Sequence, residues 1–107
     1  MEYEPLLVGI LFPFFEGFVL VKKAGKCGFV NKVGEVIIQP AFNEAGNFSE
    51  GLALVNKQSR WGFIISDGQI VIPCSFDHAY AFRRGLARVR QQDTLFYIDP
   101  TGWAYVD

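Results

Sequence analysis

The sequence contains few of the residues that build metal sites and acid–base sites. It has two cysteines, Cys27 and Cys74, and a single histidine, His78. A zinc site needs about four nitrogen or sulfur ligands in close pairs, and no CxxC pair is present. We therefore expect no metal and no other cofactor. Both cysteines are interpreted as small buried apolar residues in a reducing compartment, with one disulfide between them as the alternative.

An excess of charge of one sign is also lacking. Ten Lys and Arg residues balance eleven Asp and Glu residues, which gives a net charge of −1. A dedicated nucleic-acid binder would carry a clear basic excess, so nucleic acid is not expected as a partner. No glycine-rich phosphate loop between a strand and a helix is present either.

Long hydrophobic runs are absent. The strongest apolar run, residues 6–12, is far shorter than the ~20 residues of a membrane helix. Glu2 and Glu4 precede it, whereas a signal peptide begins with Lys or Arg. We therefore interpret residues 1–13 as part of the fold and expect a cytoplasmic protein without membrane contact.

What the sequence does have is an internal repeat with a period of 34 residues. The positions that recur in all three copies are Phe14, Phe48 and Phe82; Gly17, Gly51 and Gly85; Val21, Val55 and Val89; and Gly34, Gly68 and Gly102. The copies span residues 14–47, 48–81 and 82–107, the last one truncated. Together with residues 1–13 they form one domain, 1–107.

The residue types of the repeat favour strands over helices. A period of 34 also belongs to helical tetratricopeptide repeats, but glycine costs about 1 kcal/mol inside a helix and recurs here in every copy. The middle copy predicts strands at 51–55, 61–65 and 69–72, with Pro73 ending the third strand and a helical turn or coil following over 73–81. Each copy is therefore predicted to be a three-stranded antiparallel meander, which gives an all-β protein with nine main strands.

The second turn of each meander has a recognisable chemistry. Asp99-Pro100-Thr101-Gly102 is typical of a type I turn followed by a glycine in a G1 bulge, because proline presets φ and glycine adopts positive φ. Residues 32–34 and 66–68 occupy the same place in the other copies.

The middle copy resembles the WG repeats of bacterial proteins. The matching segments are Phe48–Val55 for F-x-E-G-L-A-x-V, Arg60–Ile65 for K-W-G-Y/F-I-D, and Val71-Ile72-Pro73 for V-I-P. The pair Trp61-Gly62 is replaced by Cys27-Gly28 in copy one and by Leu95-Phe96 in copy three. The resemblance implies an interaction or scaffold module without catalytic residues. Its motif residues are structural: Trp61, Gly62 and the repeated glycines Gly17, Gly51, Gly85, Gly34, Gly68 and Gly102.

Two arrangements of the copies are compatible with the sequence. In an open stack, which we favour, residues 1–13 cap the first copy, and exposed edge strands could support oligomerisation. In a closed three-fold assembly, residues 1–13 would act as a clasp on copy three.

Candidate binding residues are found only in copy three. Arg83, Arg84, Arg88 and Arg90 form a cluster suited to an acidic partner, and Trp103 has polar counterparts in the other copies and is expected to face solvent. We therefore expect a non-catalytic module that binds another protein. The alternative is a small-ligand or carbohydrate-binding module, which should show the same site in each copy. An enzyme is least favoured, because Ser75, Asp77 and His78 lie within four positions of one loop and cannot easily adopt triad geometry.

Replacing Gly68 by valine should be far more harmful than replacing the surface residue Lys57 by alanine. Gly68 is expected at positive φ, where a β-branched residue is strained by about 1–3 kcal/mol. Surface changes such as Lys57→Ala usually stay within about ±0.5 kcal/mol. Urea unfolding measures the difference, and equal midpoints would show that the turn is wrongly assigned.

Overall fold

The computed structural model describes residues 4–5 and 16–105. These residues form twelve β-strands in three four-stranded antiparallel sheets. No helix occurs among them, and hence none that is long and apolar enough to cross a membrane.

Each sheet is built from strands that are consecutive along the chain and hydrogen-bonded in that order. The first sheet contains β1 (Glu4–Pro5), β2 (Val19–Lys23), β3 (Lys26–Val30) and β4 (Val36–Phe42). The second contains β5 (Glu44–Ala45), β6 (Ala53–Lys57), β7 (Arg60–Ile64) and β8 (Ile70–Phe76). The third contains β9 (His78–Ala79), β10 (Ala87–Gln91), β11 (Thr94–Ile98) and β12 (Ala104–Tyr105).

The predicted all-β repeat and its meander are confirmed, and each sheet has one additional short strand. The meanders are β2–β4, β6–β8 and β10–β12. The additional strands β5 and β9 come from the tail of the preceding copy and pair with β6 and β10. Copies one and two thus each provide two residues that pair with the following copy, which ties consecutive copies together through backbone hydrogen bonds.

The expectation of a helical turn or coil over 73–81 was wrong, and Pro73 does not end its strand. β8 continues through Pro73 to Phe76. The register between β7 and β8 shifts on both sides of Phe63. Proline is tolerated in a strand at such an irregularity, because its missing N–H is not required for a regular ladder there.

The glycine of the Trp61-Gly62 pair is needed for the close approach of two strands. A Cβ atom at Gly62 would lie 2.4 Å from the carbonyl oxygen of Ile72 and 2.7 Å from the backbone nitrogen of Cys74. The same arrangement recurs in the first sheet, where a Cβ at Gly28 would lie 2.4 Å from the Ile38 oxygen. Any side chain at these positions would push β4 or β8 away from its neighbour.

The turns predicted between the second and third strands are confirmed. Gly68 has a φ of 92°, and its N–H donates to the Ile65 carbonyl at 2.9 Å. The carboxylate of Asp67 accepts from the N–H of Gln69 at 2.9 Å. The predicted strain in Gly68→Val depends on this positive φ.

Two apolar layers hold the three sheets in a stack. The first, between sheets one and two, includes Phe29, Phe48, Val55 and Ile64. The second, between sheets two and three, includes Phe63, Phe82, Val89 and Ile98. The middle sheet is therefore apolar on both faces, because Val55 and Ile64 face one layer while Leu54 and Phe63 face the other.

A phenylalanine of each following copy packs into the preceding sheet. The Phe48 ring lies 4.7 Å from Phe18 and 4.9 Å from Phe29, measured between ring centroids. The Phe82 ring lies 4.8 Å from Phe63, and both are fully buried. Burial of such a side chain contributes about 1.5–3 kcal/mol, and an aromatic pair adds about 0.5–1.5 kcal/mol.

Glutamates connect the tight turns of successive copies. Glu50 and Gly51 both have positive φ, 55° and 82°, and form a two-residue turn closed by Ser49 and Leu52. The Glu16 carboxylate accepts from the N–H groups of Glu50 at 2.6 Å and Gly51 at 2.8 Å. The Glu50 carboxylate accepts in the same way from Arg84 and Gly85. A glutamate therefore satisfies the backbone donors of the next turn, until Arg84 takes its place in copy three.

The three sheets are separate and open, as favoured from the sequence, and do not close into a three-fold assembly. Within the predicted cap, β1 pairs with β2 of the first copy, Glu4 opposite Lys22 and Pro5 opposite Val21. The other residues assigned to the cap or clasp, 1–3 and 6–13, lie outside the described residues.

Substitution of Gly62 by alanine should destabilise the protein more than substitution of Gly51 by alanine. At Gly62 the added Cβ collides with backbone atoms in addition to the change of side chain, and overpacking costs about 1–3 kcal/mol, or more where the backbone must shift. At Gly51 nothing lies within 4 Å of the added Cβ, so the cost is the positive φ alone, about 1 kcal/mol. Urea denaturation of both variants provides the test. An unchanged midpoint for Gly62→Ala would contradict the close approach of β7 and β8.

Candidate functional site

The face of the third sheet that points away from the second sheet is the strongest candidate for a functional surface. We call it the terminal face; its side chains are Tyr80, Leu86, Arg88, Arg90, Leu95, Tyr97 and Tyr105, all exposed. Their neighbours along β10 and β11, Val89 and Ile98, are buried against the second sheet. The alternation of the strands therefore separates a packed face from an exposed one.

The terminal face corresponds to the faces on which copies stack elsewhere in the molecule. Arg88 and Tyr97 lie opposite each other on β10 and β11, as Leu54 and Phe63 do on β6 and β7. Leu54 and Phe63 pack against the third sheet. Arginine and tyrosine thus replace leucine and phenylalanine at the same places, on a face that no following copy covers in the described structure.

Four of these side chains form a row across the sheet. Tyr80 lies beside Arg88, since its N–H donates to the Arg88 carbonyl at 3.0 Å. Arg88 lies opposite Tyr97, and Tyr97 lies opposite Tyr105. Directly opposing residues on one face have Cβ atoms about 4.5–5.5 Å apart, so the row is a continuous aromatic and cationic surface.

A groove of about 540 Å³ runs along one side of this row. It is lined by Tyr80, Ala81, Arg83, Arg84, Leu86, Arg88 and Tyr97. A smaller groove of about 300 Å³ lies beside it, between His78, Tyr80, Arg88, Arg90 and Leu95. Arg88 borders both grooves and is the central cation of the surface.

The structure places three of the four arginines proposed from the sequence, Arg83, Arg84 and Arg88, along one groove, and Arg90 along the neighbouring one. Arg83 and Arg84 belong to the turn before β10, and Arg88 and Arg90 lie on β10 itself. Within the described part of the chain, none of their guanidinium groups makes an ion pair or a hydrogen bond. Arg60, by contrast, pairs with Asp77. The four cations are therefore available to an external anion.

Trp103 does not join this surface. Its side chain is 68% exposed, as expected from its polar counterparts, but it lies in the turn between β11 and β12. Its backbone N–H donates to the Asp99 carboxylate at 3.1 Å. Trp103 does not line the grooves beside Arg88.

Sequence reasoning missed the tyrosines and leucines of the terminal face. Tyr97 aligns with Phe29 and Phe63, which are buried, so its position in the repeat does not indicate that it is exposed. Tyr80, Leu86, Leu95 and Tyr105 were not singled out. The signal that could have found them is their position in the repeat. In copies one and two the equivalent residues pack against the following copy, whereas in copy three no described residues cover them.

Tyr105 also takes part in a hydrogen-bonded turn. The Asp99 carboxylate accepts from the Thr101 hydroxyl at 2.5 Å and the Tyr105 hydroxyl at 2.8 Å, and from the backbone N–H of Thr101 at 2.9 Å. These bonds, that of the Thr101 hydroxyl first, lower the pKa of Asp99 below its usual value. The bond to Asp99 raises the pKa of Tyr105.

The residues considered for catalysis or metal binding are engaged elsewhere or stand apart. Asp77 binds Arg60 and accepts from the N–H of Gln92 at 2.7 Å, and the Ser75 hydroxyl donates to the Pro73 carbonyl at 3.4 Å. His78 stacks edge-on against Tyr80. Among the described residues, no group of three or more His, Cys, Asp or Glu side chains is placed to hold a metal ion.

Both cysteines are free thiols in the structure. Cys27 is buried and Cys74 half-buried, and both belong to the apolar layer between sheets one and two. Burial raises the pKa of both thiols. They therefore contribute as apolar side chains rather than as nucleophiles.

Replacing Tyr105 by phenylalanine should raise the pKa of Asp99 towards its ordinary value, because one donor to the carboxylate is lost. The folded pKa of Asp99 lies below the unfolded value of about 3.9, so its carboxylate stabilises the fold above that pH and ceases to do so as the pH falls through the folded pKa. An NMR titration of the Asp99 carboxyl carbon in both proteins measures the shift. Identical titration curves would show that the Tyr105 bond does not form.

Comparison with known proteins gives one match. A family model described as WG containing repeat matches residues 28–61 and again residues 61–94, which together make up more than half of the chain. Searches of curated proteins and of solved structures find no significant match. The resemblance seen in the middle copy is thus confirmed over two successive repeats, and the chain belongs to the WG containing repeat family.

Proposed function

We propose that this chain is a non-catalytic module that binds another protein through the terminal face. The observation that carries the proposal is the equivalence of this face with the two faces on which copies stack. A surface of this geometry already binds a β-sheet twice within the molecule, through Phe29 and Phe63. On the third sheet the same positions are exposed and carry arginine and tyrosine.

The composition of the terminal face supports a protein partner. Tyrosine and arginine are enriched in protein interfaces, where tyrosine supplies contact area at a low entropic cost and arginine supplies several hydrogen bonds. Tyr80, Tyr97 and Tyr105 are each about half exposed, and Leu95 lies among them. The packed second sheet beneath them keeps their backbone in place without help from a ligand.

The alternative of a carbohydrate or small-ligand module receives less support. Such a module should repeat its site in each copy. The counterparts of Arg88 and Tyr97 are Leu54 and Phe63 in copy two and Leu20 and Phe29 in copy one, and these side chains lie in the apolar layers. A ligand site on the terminal face would therefore be a single site.

A photo-crosslinking amino acid at position 97 should give a defined protein adduct in extracts of the native host. The same amino acid at Val33, an exposed turn residue far from the terminal face in sequence, serves as the matched control. The adduct at position 97 should weaken at high salt, because the Debye length falls from about 10 Å at 0.1 M to about 3 Å at 1 M. Mass spectrometry identifies the adduct.

A second substitution links the adduct to the arginines. Arg88→Glu in the position-97 protein should abolish the adduct while the circular dichroism spectrum stays unchanged, since Arg88 is exposed. Adducts that are the same at positions 33 and 97, or that persist with Arg88→Glu, would contradict binding at the terminal face.

A further inference from the structure

We propose that the partner presents an extended acidic segment, which inserts an aromatic side chain beside Tyr97 and Leu86 and places carboxylates on Arg83, Arg84 and Arg88. The inference rests on the proposed protein-binding function and specifies the chemistry of the partner. It follows from what the repeat does at the two interfaces between copies.

The first argument is an unfilled aromatic site. Between copies one and two, Phe48 packs on Phe18 and Phe29. The residues at these two positions in copy three are Leu86 and Tyr97, which are 39% and 46% exposed and line the groove of about 540 Å³. The groove thus occupies the place where the phenylalanine of a following copy would pack. Apolar side chains at its base retain their affinity for such a ring.

The second argument is the reversal of one polar contact beside that site, the one made by Glu50. The Ser49 hydroxyl donates to the Phe82 carbonyl at 2.7 Å, and the Glu50 carboxylate accepts from the N–H groups of the next turn. Copy three has Arg83 in place of Ser49 and Arg84 in place of Glu50. An acceptor has become a donor with positive charge, so the backbone N–H groups of a further WG repeat would face Arg84 instead of a carboxylate.

The third argument is charge complementarity. The protein as a whole carries a net charge of −1, yet four guanidinium groups that have no ion pair within the described part of the chain lie in one turn and one strand. Arginine binds carboxylates through two parallel hydrogen bonds, and such bonds are stronger than those between neutral groups. The groove therefore fits a segment in which an aromatic residue is flanked by Asp or Glu.

A second copy of this chain fits less well as the occupant. Two described phenylalanines are followed two residues later by a glutamate, Phe42 and Phe48; they are 5% and 2% exposed and already packed within their own molecule. The segment is therefore assigned to a different protein. The row from Tyr80 to Tyr105 crosses four strands, about 15 Å, so about five extended residues span it.

The test uses a fluorescent peptide of about ten residues, long enough to span the row, with one phenylalanine flanked by glutamates, and the full chain at low salt. Fluorescence anisotropy should show saturable binding. Replacing the phenylalanine by alanine, or the glutamates by glutamines, should each weaken binding by about tenfold or more. The same ranking of peptide affinities is expected when aspartates replace the glutamates of the peptide.

Matched variants of the protein locate the binding site. Arg88→Glu should reduce peptide affinity by at least about tenfold, whereas Lys26→Glu, the same charge change on an exposed residue of the first sheet, should leave it within about twofold. Arg84→Gln, which removes charge without reversing it, gives a milder second test. Thermal unfolding of each variant shows that the fold is kept.

Four results would overturn the inference. The first two are the absence of peptide binding and binding of the phenylalanine-free peptide with the same affinity as the original peptide. The third is binding of a single-stranded oligonucleotide of the same charge with that affinity. The fourth is self-association of the chain that Arg88→Glu abolishes and that the peptide does not displace. A protein adduct at position 97 together with no peptide binding would leave the proposed function standing and refute only the acidic aromatic segment.

Discussion

The fold depends on the packing of one copy's phenylalanine into the face of the preceding sheet. A four-stranded sheet with apolar residues on both faces must be covered on both, and no copy can do this alone. Phe48 and Phe82 bring the next sheet into contact, while β5 and β9 carry the chain from one sheet into the next. The glutamate at the tight turn then satisfies backbone donors that this contact places beside it. The packing of the sheets, the pairing of a short strand with the next copy and the contacts between turns thus recur with the same 34-residue period, because all three belong to the interface between successive copies.

The parts of the fold that the sequence predicted are those governed by local chemistry. The turn at Gly68 and the strands of the meander follow from glycine positions and from apolar runs, and both are confirmed. The strand that passes through Pro73 was mispredicted, because proline usually ends a strand and only the bulge opposite Phe63 makes it acceptable. Likewise, the need for glycine at position 62 arises from a backbone about ten residues away in sequence, and no local pattern reveals such an approach.

The candidate site likewise contains residues that the sequence alone identifies and residues that only the packing of the sheets identifies. The arginines were visible from the sequence because the other copies lack them, a difference that requires no knowledge of the fold. Tyr97 was not, because its alignment with buried phenylalanines makes it look like a core residue, and only the stack shows that its face is uncovered. Trp103 illustrates the opposite case: its exposure was predicted correctly, but its place in a turn separates it from Arg88 and the grooves.

The residues of the terminal face also differ from those of an ordinary solvent-exposed sheet face. Lysine or glutamate at every exposed position would be enough to keep such a face soluble. Copy three instead keeps tyrosine where phenylalanine stands in the interior, and keeps leucine at positions 86 and 95. Arg88 stands where copy two has Leu54, but apolar side chains remain around it. Three half-exposed tyrosines beside unpaired guanidinium groups exceed what solubility requires. Such a surface has the composition that the proposed binding to a partner of opposite charge requires.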